Sequence, residues 1–508
     1  MGIKRYYATA DNTITNAYKE NLRTRATASN IGASDILEVF SIYGQANSSS
    51  AEKSRVLIQF STSASTNSIK ADRDAGTIPS SGSVSFYLRM FNAPHGQTLP
   101  KSYTMDISAV SGSWTEGTGL DMELYKDIGV SNWISSSAGD FKNWVTEGGD
   151  YYTDMSSSFS ASFDGGTEDI EMDITTLVEQ WVSSSNLGWK EDNGVGVFIS
   201  SEYEDAARSY YTKKFFARGT EFFFKQPYIE ARWNSSIEDD RANTYYSSSL
   251  ATGEENLNTL YLYNYFRGRL RNIPGVGTGN IYVSIFSGSS EQPGQPTRAL
   301  ELVVDGNHVT HASRNKVITG SHESKGVYKA SFALTGTAPP LTALFDVWFS
   351  GAAEVASAYE STEQYYTASF SPRTLRPSAI APTNEYVASI SNLRSSYRPD
   401  ETARFRVYTR QKDWNPTIYT KAVAAPELHT VESGSFQIFR IIDELKAIPH
   451  GTGSTKHTFL SYDASGSYFD LDMSMLESGY AYGINLAFYN EDIGDYVDQP
   501  ETFKFKIG

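Results

Sequence analysis

Residues 55–60 read Arg55-Val56-Leu57-Ile58-Gln59-Phe60, and this short run sets the fold class. It is β-branched and aromatic, polar only at Arg55 and Gln59, and shorter than an ordinary helix. The same kind of run returns as Val84-Ser85-Phe86-Tyr87-Leu88-Arg89, as Tyr261-Leu262-Tyr263-Asn264-Tyr265-Phe266 and as Ala403-Arg404-Phe405-Arg406-Val407-Tyr408. Side chains alternate across a strand, so each run presents one face to a core and one to solvent. Gly, Ser, Asn and Pro separate the runs, a pattern that describes β-sandwiches. The best helical window is 173–182: Ile174, Leu177, Val178 and Trp181 fall at helical spacing, with Asp173 placed as the N-cap. A second window, 439–446, reads equally well as the end of a strand.

Working outward, the 508 residues suffice for about three domains. Two segments suggest where they divide. Residues 234–249 are polar and follow the strand-like Tyr228-Ile229-Glu230-Ala231-Arg232-Trp233; residues 371–383 hold Pro372, Pro377 and Pro382, which favour extended backbone. The expected fold is all-β: a larger jelly-roll-like sandwich over 1–235, then two immunoglobulin-like sandwiches over 236–378 and 379–508. The 33 Tyr, 27 Phe and 8 Trp supply ample surface to bury, which argues against disorder. With no Cys there is neither a disulfide framework nor a thiolate metal site. No apolar run reaches membrane-spanning length. The opening Met1-Gly2-Ile3-Lys4-Arg5-Tyr6-Tyr7 does not read as an export signal.

Charge is uneven. The net charge of −16 argues against a nucleic-acid partner. Residues 102–206 carry twenty acids against only Lys126, Lys142 and Lys190, whereas 208–232 is locally basic through Arg208, Lys213, Lys214, Arg218, Lys225 and Arg232. Either the basic stretch pairs with the acidic one inside one domain, or the acids form a docking surface or a calcium site. The oxygen-rich segment 164–173 nominates Asp164, Glu168 and Asp169 as calcium ligands, and Asp470 and Asp472 form a second such candidate. Calcium is the one cofactor considered, and its role would be structural.

The N-terminal landmarks come in a definite order: Asn30-Ile31-Gly32, the strand 55–60, Trp114-Thr115-Glu116-Gly117-Thr118-Gly119, Trp133, and Trp144 with Gly148-Gly149-Asp150-Tyr151. The helix at 173–181, Gly194-Val195-Gly196-Val197-Phe198-Ile199, Phe215 with Arg218, and the closing strand follow. The series resembles the DNRLRE-type β-sandwich family, which is similar to carbohydrate-binding modules and occurs in secreted bacterial and phage structural proteins. The resemblance covers the first domain and implies a jelly-roll-like sandwich with a surface or adhesive role and no catalytic residues. The sequence departs from the family near Phe215-Phe216-Ala217-Arg218-Gly219-Thr220-Glu221. Trp133, Trp144, Tyr151 and Tyr152 are candidates for a glycan-stacking platform; the opposing reading places the tryptophans in the core. The segment Tyr397-Arg398-Pro399-Asp400-Glu401, with the strand after it, is similar to segments of structural proteins from tailed phages, marine ones especially.

Catalytic constellations are missing from the sequence. It has no nucleophile elbow and no zinc-protease helix motif. Gly451-Thr452-Gly453-Ser454-Thr455-Lys456-His457 reads as a turn rather than a phosphate loop, and His308 with His311 would face opposite sides of a strand. The expected function is therefore non-enzymatic: a structural component of a bacteriophage virion (tail, neck or head accessory), located in the particle. Its expected partners are other phage structural proteins, further copies of itself and a host-surface polysaccharide. The alternative is a glycan-binding module or adhesin of a bacterial surface protein.

Overall fold

The computed structural model describes the chain except residues 1, 45–50, 97–99, 122–123, 138–141, 184–188, 205, 250, 289–297, 301–302, 305–306, 309–315, 336–340, 342, 351–362, 374–385, 413–414, 416, 420–428 and 491–492. The proline-bearing segment beyond Arg373, the Ser48–Ser50 run and His311 thus lie outside the described residues. Two compact units emerge. One is Gly2–Asn234 with Gly453–His457; the other is Ser235–Thr452 with Thr458–Gly508.

The first unit is an antiparallel sandwich. Its strands are β1 (Ile3–Thr15), β2 (Ile36–Tyr43), β3 (Ala51–Phe60), β4 (Ser85–Met90), β5 (Tyr103–Ala109), β6 (Ser158–Phe163), β7 (Ile170–Asp173), β8 (Val195–Ile199), β9 (Tyr210–Phe216) and β10 (Tyr228–Arg232). Strand β1 belongs to both sheets. Its first half pairs with β10, its second half with β3, and the register slips between Ala8 and Ala10. The smaller sheet continues from β10 to β4 and β7; the larger runs from β3 to β8, β5 and β6, with β2 paired to β3 and β9 to β2. The alternation seen in sequence is realised here: Val56, Ile58 and Phe60 of β3 meet Phe86, Leu88 and Met90 of β4 in one core. Helix α1 (Ile69–Asp74) and helix α2 (Thr175–Val182) flank it, and α2 inserts Leu177, Val178 and Trp181. Asp173 ends β7 instead of capping α2 at the N-cap position, yet its carboxylate accepts the Thr175 amide at 2.9 Å.

The second unit holds two groups of sheets. In the first group, strands Asn258–Tyr263, Val327–Phe332 and Ile318–Ser324 lie on one side, and Ile281–Gly288, Ala343–Ser350 and Glu363–Phe370 on the other. Ile318–Ser324 pairs with both sides. Leu260, Val283, Ile285, Tyr328, Phe332 and Trp348 fill the interior. In the second group, Tyr386–Ile390, Thr402–Gln411, Gly466–Asp472 and Ser461–Asp463 form one sheet. Phe503–Ile507, Ala481–Asn490, Gly434–Arg440 and Lys446–Ile448 form the other, with Ser396–Tyr397 added in parallel to the last strand of the chain. The window 439–446 is thus a strand end and turn. At the start of strand Ala481–Asn490, the Tyr482 hydroxyl donates to the Glu477 carbonyl at 2.9 Å, the tyrosine-corner bond of immunoglobulin-like sandwiches. Phe405, Phe469 and Phe436 stack through this core at 5.0 and 4.1 Å.

The polar segment 234–249 does not behave as a free linker. The Ile237 amide donates to Ser461 Oγ and the Asp239 amide to the Tyr462 carbonyl, while the Tyr462 amide returns a bond to the Ile237 carbonyl. Asp240 accepts the Tyr462 hydroxyl and the Thr259 amide, and Arg241 reaches Asp346 at 2.6 Å. The segment therefore bonds to both groups of sheets, a strut within the second unit.

Candidate functional site

The outer face of the larger sheet in the first unit carries two features. The first is a second apolar cluster: Leu57 of β3, Ile14 of β1 and Val110 are covered by Trp114, Trp133 and Trp144. Trp133 is 4% exposed and Trp144 6%. The indole N–H of Trp144 donates to the Asn132 carbonyl and that of Trp114 to the Asn193 carbonyl, each at 2.9 Å. These rings are closed off in loop packing, so the exposed stacking platform expected of Trp133 and Trp144 is replaced by a core.

The second feature is an open groove of about 720 Å³ beside that cluster. Strand register builds its floor. Asp106 of β5 stands directly opposite Phe198 of β8, so both project from the same face, and Ser108 stands opposite Gly196. Arg55, at an outward position of β3, and Tyr151, Tyr152 and Asp150 from the turn after Trp144 complete the wall, with Ser201 and Glu204 beyond β8. Gly196 is required here: any Cβ would lie 2.1 Å from Tyr151 Cε1, so only glycine lets that ring lie on the sheet.

Electrostatics hold the groove in one shape. The Arg55 guanidinium forms a fork onto Glu204, Nε to Oε1 at 2.9 Å and Nη2 to Oε2 at 2.7 Å, and donates to the Gly148 carbonyl at 3.1 Å. It also lies 5.0 Å from the Phe198 ring centre and 5.4 Å from that of Trp133. Tyr151 packs on Phe198 at 4.8 Å and donates its hydroxyl to the Gly148 carbonyl. Burial, with Glu204 adding to it against the opposing pull of Arg55, pushes the Tyr151 phenol up to about 12, so it remains a donor at neutral pH. Of the four platform residues named from sequence, Tyr151 and Tyr152 line this groove. Arg55, Asp106, Phe198 and Glu204 were not anticipated; the one signal for Arg55 was its outward position in the opening run.

The calcium candidates form a different arrangement. Glu168 Oε1 accepts the Asp164 amide at 3.0 Å and also the Gly165 amide, and Asp169 Oδ1 accepts the Asn92 amide at 2.7 Å. An ammonium already sits among the neighbouring oxygens. Lys213 Nζ, 1% exposed as a residue, donates to Asn92 Oδ1 at 2.7 Å, to the Glu168 carbonyl at 2.8 Å and to the Gly166 carbonyl at 3.2 Å. Loss of hydration lowers its pKa to about 8. Asp470 pairs with Arg404 and Asp472 caps a short turn, so both are committed elsewhere. Among the described residues no group of three or more His, Asp or Glu side chains is placed to hold a metal ion.

The basic stretch pairs with acids of the same unit: Arg218 with Glu116, Arg232 with Glu171 and Glu230, and Lys214 with Glu38. Glu116 of the Trp-Thr-Glu-Gly motif also accepts the Asp11 amide, and Asp11 Oδ2 accepts the Arg218 amide at 2.6 Å. These landmarks form a clasp between distant segments. Burial pushes the Asp11 carboxyl up to about 7. The glycine-rich 451–457 segment contributes Gly453–His457 to the first unit, where burial lowers the His457 imidazole to about 4.

No family profile and no curated protein matches the chain. Among solved structures, the titin domains Z1Z2 in complex with telethonin match at 11% identity and TM-score 0.13, over 50% of this chain and 86% of that one. The tandem Ig repeats of Dlar match at 5% identity and TM-score 0.14, over 50% and 90%. A DUF4785 family protein from Legionella pneumophila matches at 7% identity and TM-score 0.13, over 99% and 92%. At such scores none of the three carries an argument about function.

Proposed function

We propose that this chain is a non-enzymatic binding and assembly protein whose first unit holds a polysaccharide in the groove beside Tyr151. The observation that carries this reading is the groove itself. Its volume of about 720 Å³ falls in the range of ligand sites, and it places the aromatic rings of Tyr151, Tyr152 and Phe198 next to Asp106, Asp150 and serine hydroxyls. Aromatic faces stack on the C–H faces of a sugar, while carboxylates and hydroxyls bind its ring hydroxyls. The Arg55–Glu204 fork fixes the wall in advance, which lowers the ordering cost of binding.

The test is affinity for a bacterial surface polysaccharide. Phe198→Ala and Tyr152→Ala should each weaken binding about tenfold, roughly 1.4 kcal/mol, without unfolding the unit. Unchanged affinity in both variants would overturn the groove as the site. The setting we propose is a tailed-phage virion, alongside other structural proteins and further copies of the chain; the sequence resemblance supports that setting. Mass spectrometry of purified particles lacking this polypeptide would remove the setting and leave the groove to be judged by its own test.

A further inference from the structure

A hairpin of the second unit stands apart from the rest of the surface. Strands Tyr265–Phe266 and Arg269–Leu270 pair around Arg267 and Gly268, both with positive φ (51° and 76°), the geometry of a tight two-residue turn. Tyr265 is 58% exposed and Phe266 52%. Arg267 and Arg271 place their guanidinium carbons 5.3 and 5.4 Å from the Phe266 ring centre. Among the described residues Arg267, Arg269 and Arg271 form no ion pair, and no acidic residue occurs in sequence between Glu255 and Glu291. In a chain of net charge −16, three unpaired arginines around an exposed aromatic pair are the composition of an interface centre.

We propose that this hairpin docks, in a second copy of the chain, onto the exposed acids that the described part of residues 102–206 presents. Charge complementarity selects that occupant: the described residues of the window expose Asp127, Glu147, Asp164, Asp173, Glu191 and Glu202, and beside Glu147 they expose Val145 and Met155 (94% and 95%) for apolar contact with Tyr265 and Phe266. Hairpin and acidic surface are different patches, so the contact is heterologous and propagates into a row of copies or closes into a ring. The hairpin is small, so the contact is weak and salt-dependent, and other copies in the same row add to it.

Sedimentation of the full chain tests this. At low salt (about 20 mM) the wild type should self-associate, and at about 500 mM it should be monomeric. The triple variant Arg267→Glu, Arg269→Glu, Arg271→Glu should associate at least about tenfold more weakly, with an unchanged melting temperature and unchanged polysaccharide affinity. A benzophenone amino acid in place of Leu270 should cross-link to residues 102–206 of another copy. The proposal is overturned by a wild type that stays monomeric at low salt, including one that sediments with phosphatidylserine vesicles instead. Association that survives charge reversal, or cross-links landing outside 102–206, also overturns it.

Discussion

Trp133 and Trp144 owe their burial to residues far away in sequence: Leu57 and Ile14 on the outer face of the larger sheet supply the apolar floor they cover. The Ser- and Gly-rich surroundings of both rings gave no hint of that floor, so the sequence left core and platform open. Trp144→Ala should cost about 3–5 kcal/mol in urea unfolding, the scale for emptying a buried aromatic site. A variant of unchanged stability would return the ring to the surface. Arg55 was harder still to read, because its partner Glu204 lies 149 residues on and nothing local marks the pair. The surroundings of the calcium candidates were hidden for a related reason. The oxygen-rich loop was legible, whereas the cation that fills it, Lys213, arrives from β9 across the sandwich.

Strands were the most legible elements: burial in β4 follows the sequence alternation directly, while in β3 Leu57 interrupts it, buried under the tryptophans on the outer face. The segment 234–249 was legible as a division, and one unit boundary falls between Asn234 and Ser235, but its role as a strut was not, because polarity marks both a solvated linker and a buried polar strut; the difference lies in partners such as Tyr462 and Asp346. Trypsin should therefore spare Arg241 in the native chain, a result read by mass spectrometry of a limited digest. Early cleavage there would contradict the strut. The same element carries a pH dependence. Burial pushes Asp239 up to about 7 and Asp240 to about 6, against the pull of Arg241 on the first and of Thr259 and Tyr462 on the second. A carboxyl with a raised folded pKa stabilises fully below its unfolded value, near 4, and that contribution is lost as pH rises through the folded value. Asp239→Asn, which keeps an acceptor for the Arg241 amide, should raise the stability of the second unit at pH 8 by about 1–2 kcal/mol and change it little at pH 4. Equal effects at both pH values would contradict this.

At the scale of the molecule, the acidic window read from sequence resolves into two parts. Some of its acids pair internally with Arg218 and Arg232, and others remain on the exposed surface. The fold class was legible because alternation repeats along the whole chain. The groove was not, because it is assembled from four strands, the short helix Ser201–Glu204 and a turn that only the sheet order brings together. Its claim to hold a sugar is the centre of this account. The most direct measurement is binding of the folded full chain to an array of bacterial surface polysaccharides, beside the Phe198→Ala variant. Saturable binding to at least one polysaccharide is expected, weakened about tenfold in the variant. A flat array, or equal binding by both proteins, would contradict it.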